Sequence, residues 1–321
     1  MGEYSSSATR SLATNAFQAI GTVETSARLK FCLYGDDIKK LTAYQRMSSI
    51  IYAMLSLYNI FLTISLFALP IVLLSGNALV AFASIDQLRW LIRACFLNLM
   101  INRVTELCMF LPSGYNTGQR GARSQIWMAP YITVSIIRSF VLPSWFGGQK
   151  QAFKPTGSLK SELNERTPAL RANVWRRFNV ITTNYMAGYH LLYVYLVLTA
   201  VTLTTLRCVF TRPTTPEKLV CLVTHAFWPP IAWLITLSAF WTPIRYAIDP
   251  PTVPEREELL DRNPKTDVAH PTKKAKKIAF KPQTLIFELE YFVATAYTVL
   301  CFIATFIIPD ADIQVWAVYS G

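Results

Sequence analysis

The stretch Met47 to Ile85, "MSSIIYAMLSLYNIFLTISLFALPIVLLSGNALVAFASI", contains no Asp, Glu, Lys or Arg. A helix that crosses the hydrocarbon core of a bilayer needs roughly 20 mostly apolar residues. This stretch holds one such helix, with Pro70 near its far end, followed by a short turn at "SGN". Charge is absent in the same way from Phe178 to Leu206, from Leu219 to Ile244 and from Tyr291 to Pro309. A soluble domain does not leave so many long uncharged runs. The pattern predicts an all-α integral membrane protein.

Composition agrees. The chain has 321 residues, 52% of them hydrophobic, and a formal net charge of +12. That charge does not point to nucleic acid, because the basic residues gather in loops, as cytosolic loops of membrane proteins do, and no nucleic-acid-binding motif accompanies them. The six cysteines include no C-x-x-C pair, and several lie inside apolar runs. They read as small buried hydrophobes, with neither a disulfide framework nor a metal site. His190, His225 and His270 stand far apart, so no metal is expected. P-loop, G-x-G-x-x-G and Ser-His-Asp patterns are absent. "YGDD" (Tyr34 to Asp37) reads as a solvated turn, and "DQLRW" (Asp86 to Trp90) as the mouth of a span.

The chain divides as follows. Residues 1–46 form a cytosolic or interfacial segment whose Leu29, Phe31, Leu33 and Tyr34 among basic residues predict an amphipathic stretch. Residues 47–111 hold two spans, at about 48–75 and 88–111. Residues 112–178 contain a loop, "PSGYNTGQRGARS", then a short interface helix between Pro130 and Pro143, then a polar, basic loop. Residues 179–247 hold spans at about 180–206 and 219–244, the second kinked or broken by Pro229-Pro230. Residues 248–284 are a basic cytosolic loop, and 285–321 a last span and an outer tail. Lys and Arg concentrate in the N-terminal segment, the 112–178 region and the 249–283 loop, so these are expected in the cytosol. Arg207, Arg212 and Lys218 fall on the outer side against that rule. The expectation is about five crossings of a plasma or Golgi membrane, with the N-terminus cytosolic.

Three places carry candidate chemistry. The second span contains Asn102, Arg103 and Glu106. Arg103 and Glu106 are three apart and able to pair on one helix face. Ionisable groups in a membrane face protein or water, which leaves a salt bridge or a polar conduit wall equally open. Tyr185, Tyr189 and Tyr193 recur every fourth residue and line one face of the third span. Such a face suits sugar rings, but helix packing is the more ordinary reading. The loop after "SWFGG" offers Phe153 to stack on a base, Lys154 and Lys160 for phosphate, and the hydroxyls of Thr156 and Ser158. That set fits a flap over a nucleotide diphosphate, and a solvated loop as well.

In this order the segments resemble the membrane half of the family 2 processive glycosyltransferases, the cellulose-synthase-like group, above all its fungal members. "LTAYQRMSSIIYAMLSLYNIF" is similar to the first helix after that family's catalytic domain, and "WMAPYITVSIIRSFVLPSW" to its interface helix. "QAFKPTGSLKSELNER" falls where the family has its F-x-V-T-x-K gating loop, and "FELEYFVATAYTV" is similar to the last helix. The resemblance runs from about residue 26 onward. It implies that Phe153 stacks on the uracil of a UDP-sugar and that Thr156 approaches the nucleotide. Pro155 replaces the family's Val and Ser158 its Lys, so that Lys154 or Lys160 is left to supply the charge.

The resemblance further implies a hexosyltransferase system of polysaccharide and cell-wall biosynthesis. In it the glycan product passes Asn102, Arg103, Glu106, Tyr189 and Tyr193 across the membrane. The family's D-x-D, T-E-D and Q-x-x-R-W motifs are not present before residue 47. UDP-sugar and a divalent Mg or Mn ion are therefore expected in a separate catalytic domain or an intact homologue acting as partner. This chain is expected to bind no cofactor itself and to be inactive alone. The other partner is membrane lipid. The alternative expectation is a non-enzymatic multi-pass protein, either a small-solute transporter or a structural partner of a synthase.

Overall fold

In a computed structural model of the chain, the structure describes residues 21–27, 30–80, 83–110, 115–148, 169, 171–183, 186–226, 231–250, 259–263, 268–275 and 285–307. Of these, 82% are helical, which settles the fold as predominantly α. Two helical stretches, Leu57–Leu74 and Gly188–Thr211, are long and apolar enough to cross a membrane. The chain folds as two compact units, one of Met1–Phe61, Met128–His190 and Thr242–Gln283, the other of Leu62–Trp127, Leu191–Trp241 and Thr284–Gly321.

The main helices are α1 (Ala43–Leu74), α2 (Ile85–Phe110), α3 (Tyr115–Ile136), α4 (Val174–Thr183), α5 (Gly188–Thr211), α6 (Thr215–Cys221), α7 (Ile231–Ile248) and α8 (Leu285–Ile307). Their ends follow from local chemistry. Before α1, the Thr42 amide donates to Gln45 Oε1 at 3.0 Å, and the Gln45 amide donates to Thr42 Oγ1 at 3.4 Å. This reciprocal capping box satisfies two amides that a helix start otherwise leaves open. Ser84 and Gln87 begin α2 similarly, with Gln87 Oε1 accepting from the Ala83 amide at 2.7 Å. The far end of α1 closes at Gly76, whose φ of +81° lies in the left-handed region. The Gly76 amide reaches Leu73 O at 3.0 Å and the Asn77 amide reaches Val72 O at 3.3 Å, the paired bonds of a Schellman cap.

In the first unit, the Thr133 hydroxyl donates to Asn59 O at 3.0 Å and ties α3 to α1. Arg177 is buried. Its guanidinium donates to Ala247 O at 3.1 Å, Ile248 O at 2.8 Å and Ala172 O. It thus clamps the C-terminal end of α7, where carbonyls lack helical partners and the helix dipole favours a cation. A two-stranded antiparallel hairpin, β1 (Leu260–Arg262) with β2 (Ala269–Pro271), pairs Asp261 with His270.

The second unit holds an apolar core from three helices. Leu66 and Leu73 on α1, Tyr193, Val197 and Ala200 on α5, and Trp233 and Phe240 on α7 pack together. The intervals of three, four and seven keep each set on one helix face. Tyr193 stacks on Phe240 at 4.0 Å between ring centroids, with Phe67 edge-on to both rings. Separately, α2 packs on α8. Phe96 stacks on Phe302 at 4.0 Å, and Arg93 lies 4.2 Å from the Phe306 ring centroid while donating to Thr305 Oγ1 at 3.3 Å.

Several expectations are corrected. The stretch "YNTGQRGARS", read as loop, is helical from Tyr115, and Pro130 lies inside α3 rather than bracketing a shorter helix. A helix can carry a proline when its neighbours relieve the lost bond. The third span does not run unbroken from 180. The Thr182 and Thr183 hydroxyls donate back to Phe178 O and Asn179 O, at 2.7 and 2.6 Å, and α4 ends there. Met186 sits at φ +59°, and α5 begins at Gly188. The stretch expected as a fourth span, 219–244, is built of α6, a π-turn over Leu222–Ala226, and α7; Pro229 and Pro230 lie outside the described residues. In the N-terminal segment, residues 21–27 are helical, Lys30–Cys32 forms a 3-10 turn and Asp36–Lys39 a short helix. The β1–β2 hairpin was not anticipated.

The cysteine reading is also overturned. Cys208 and Cys221 form a disulfide with Cα atoms 5.5 Å apart. They meet because α5 ends at Thr211 and Thr214 starts α6 as its N-cap, its hydroxyl accepting from the Glu217 amide at 3.4 Å. That tight reversal brings the two helix ends side by side.

Candidate functional site

The site is built on α2. Asn98, Asn102 and Glu106 recur every fourth residue and share one face of the helix. Asn102 Nδ2 donates to Asn98 Oδ1 at 3.5 Å. Arg103 Nη1 and Glu106 Oε2 form the expected ion pair at 2.9 Å, both side chains largely covered. Leu99, Asn102, Arg103, Thr105, Glu106 and Met109 line a groove of about 320 Å³ along this helix. Around the same helix, Trp90, Leu97, Ile101, Val104 and Leu107 are exposed and apolar. Leu97, Ile101 and Val104 thus gather on one side of this part of the helix, and the amides, Thr105 and the ion pair on another, while Met109 on the polar side and Arg89 and Arg93 elsewhere keep the helix as a whole from being strongly segregated.

Physical chemistry restricts where the polar side can face. A charged pair and two amides turned to hydrocarbon would each lose hydration without replacement. The pairing of Arg103 with Glu106 removes net charge, and the Asn amides keep both donors and acceptors for a visiting molecule. Such a surface can exchange hydrogen bonds with polar groups that reach it. It offers no nucleophile beside a base.

Tyr189 and Tyr193 are one turn apart on α5 and meet different fates. Tyr189 is half-exposed and belongs to the first unit, whereas Tyr193 is fully enclosed in the second unit's core. Enclosed between Phe67 and Phe240, the Tyr193 ring acts as packing. In the first unit, the Tyr131 and His190 rings lie 4.8 Å apart and both are buried. Burial pushes the Tyr131 phenol well above its usual range, because the charged form would be stranded without water.

Phe153, Lys154, Thr156, Ser158 and Lys160 lie outside the described residues. The turn leading to them is described. Gly147 has φ +86°, and a Cβ on Gly148 would run into the Leu142 carbonyl, so both positions require glycine. "DQLRW" is a helix start in which Gln87 caps and Asp86 lies 4.0 Å from Arg89. In "YGDD", Asp36 pairs with exposed Lys39 at 2.8 Å.

Sequence reasoning missed two clusters. Arg93 anchors α2 to α8, and its partner Thr305 is too distant in sequence to be inferred. Cys208, Cys221 and His225 bring their ligand atoms within 4.8 Å of one another. The turn-forming "TRPTTP" between the two cysteines was the available signal. Comparison of the chain with protein-family models, with curated proteins and with solved structures returned no match.

Proposed function

We propose that this chain is a membrane conduit of about five crossings that passes a glycan, in the manner of the membrane half of a family 2 glycosyltransferase. Transfer from a UDP-sugar belongs to a catalytic domain outside these 321 residues. The observation that carries the reading is the polar stripe on α2. Its amides, hydroxyl and internally neutralised ion pair sit beside exposed Leu97, Ile101 and Val104 on the same helix. The order of segments supports the choice of glycan, since the stripe precedes "WMAPY", the "SWFGG" turn and the Phe153–Lys160 stretch.

Orientation follows the lysine and arginine distribution, with the N-terminus and the 249–283 loop cytosolic. The disulfide at the α5–α6 reversal favours an outer or lumenal position for that turn, since disulfides persist in oxidising compartments. Arg207, an exception to the basic-inside pattern, has a local task there. It donates to Leu74 O at 3.2 Å and completes the α1 cap.

Efflux from proteoliposomes tests the proposal. Vesicles holding the purified full chain and labelled hexose oligosaccharides should release them faster than protein-free vesicles. Asn102→Trp, which fills the stripe, should slow release. Release of monosaccharide without oligosaccharide would favour the small-solute transporter, and release of neither would refute a conduit. UDP-sugar turnover by this chain alone would contradict the assignment of chemistry to another domain.

A further inference from the structure

We propose that Cys208, Cys221 and His225 form a redox-gated site for a thiophilic d10 cation, Zn²⁺ in the first instance. The proposal is independent of the conduit reading. All three ligand atoms lie within 4.8 Å of one another, and both sulfurs are buried. They come from three successive elements of one reversal: the last turn of α5, the end of α6 and the π-turn that follows. Two thiolates and an imidazole are a donor set that tetrahedral zinc accepts, with a fourth position left for water or another ligand. Zinc bonds of about 2.3 Å to sulfur and about 2.0 Å to nitrogen place two ligated sulfurs about 3.8 Å apart. That spacing is within reach of side-chain rotation at the present Cα separation of 5.5 Å.

The histidine geometry points the same way. His225 Nδ1 lies 3.2 Å from Cys221 O. An Nδ1–H donated to that carbonyl fixes the tautomer with Nε2 as the basic, metal-binding nitrogen. Metal-binding histidines are commonly oriented by such an outer hydrogen bond. The ring is thereby anchored to the backbone of one of the cysteines it would join.

The gate is the disulfide itself. In the oxidised state each sulfur is bonded to the other and no thiolate is available. A dithiol or phosphine reductant cleaves the S–S bond. A dithiol supplies two electrons and two protons and becomes a disulfide; a phosphine takes oxygen from water and becomes its oxide. Cys208 and Cys221 emerge as thiols. Zn²⁺ then binds both sulfurs and His225 while two protons leave. Oxidation of the bound form by a disulfide oxidant reverses the sequence, joining the sulfurs and releasing the cation.

The test uses the purified full chain in detergent, with Co²⁺ as a spectroscopic stand-in for Zn²⁺. Phosphine-reduced protein should bind one equivalent of Co²⁺, with a thiolate-to-cobalt charge-transfer band and the visible bands of a tetrahedral ion. Zn²⁺ should erase these bands, and oxidised protein should show none. Cys208→Ser and Cys221→Ser should each abolish the charge-transfer band at one equivalent. His225→Asn, which leaves the disulfide intact as a check on folding, should weaken binding by more than about 100-fold, since losing an outer-shell partner alone costs about 10–100-fold. The proposal is overturned if reduced protein shows no band, or if the band survives in Cys208→Ser. Equal binding by oxidised protein, or unchanged affinity in His225→Asn, would overturn it as well.

Discussion

Arg177→Ala should destabilise the protein through the end of α7, by an amount the geometry bounds. Arg177 is only 7% exposed and donates to the carbonyls of Ala247, Ile248 and Ala172. Hydrogen bonds to a charged group are worth about 1.5–3 kcal/mol each. The three do not simply add. The Ile248 bond is only part-buried, so water replaces part of it, whereas Ala247 is buried and its carbonyl is left unsatisfied at about 1–3 kcal/mol. Loss of a cation at a partly buried helix C-terminus costs up to about 2 kcal/mol more. Removing the guanidinium also relieves its own desolvation, which reduces the sum. The net expectation is about 2–4 kcal/mol. Arg177→Lys keeps the charge but cannot span three carbonyls with a point-like ammonium, and should fall about midway.

The assay is equilibrium unfolding of the detergent-solubilised full chain, with hydrogen exchange followed at residues 245–250. Arg177→Ala should lower the unfolding free energy and speed exchange at the end of α7 specifically. A change within about 0.5 kcal/mol, the range of an ordinary surface substitution, would refute the clamp. Equal losses for Ala and Lys would refute the claim that geometry, beyond charge, matters.

Three further outcomes follow from other elements. Gly76→Ala should destabilise by about 1–2 kcal/mol in the same unfolding assay, because a side chain at φ +81° is strained. Its new Cβ would also press on Arg207 Nη1 at 3.2 Å. Cys208→Ser should lower stability by about 3 kcal/mol under oxidising conditions and by much less under reducing ones, from the closure entropy of so short a loop. For Tyr131 the raised phenol pKa sets the sign. The stability it supports is fully present below about pH 10, the unfolded phenol's value, and declines as pH rises from there toward the folded value. Tyr131→Phe should therefore show a shallower alkaline loss than the wild type.

The long uncharged runs were legible because hydrophobicity alone decides them. α8 was expected at 285–308 and is found at Leu285–Ile307. The α2 ion pair was legible because three-residue spacing fixes who meets whom on a helix. What local spacing cannot encode was missed. Two of Arg177's three carbonyl partners, Ala247 and Ile248, are 70 and 71 residues away, so the clamp exists only once α4 meets the end of α7. The disulfide depended on the tightness of the α5–α6 reversal, which composition does not report. The start of α3 was hidden because "YNTGQRGARS" is polar and glycine-containing, a composition that reads as loop.

The conduit reading stands most directly on which side of α2 meets water. Asn102→Cys and Ile101→Cys, each in a background with Cys95 and Cys108 replaced by serine, place thiols at one depth on different faces of the same helix. In intact membranes a charged, membrane-impermeant thiol reagent should modify position 102 and spare position 101. Equal protection of both, or faster labelling at 101, would contradict an aqueous polar face and with it the proposed conduit.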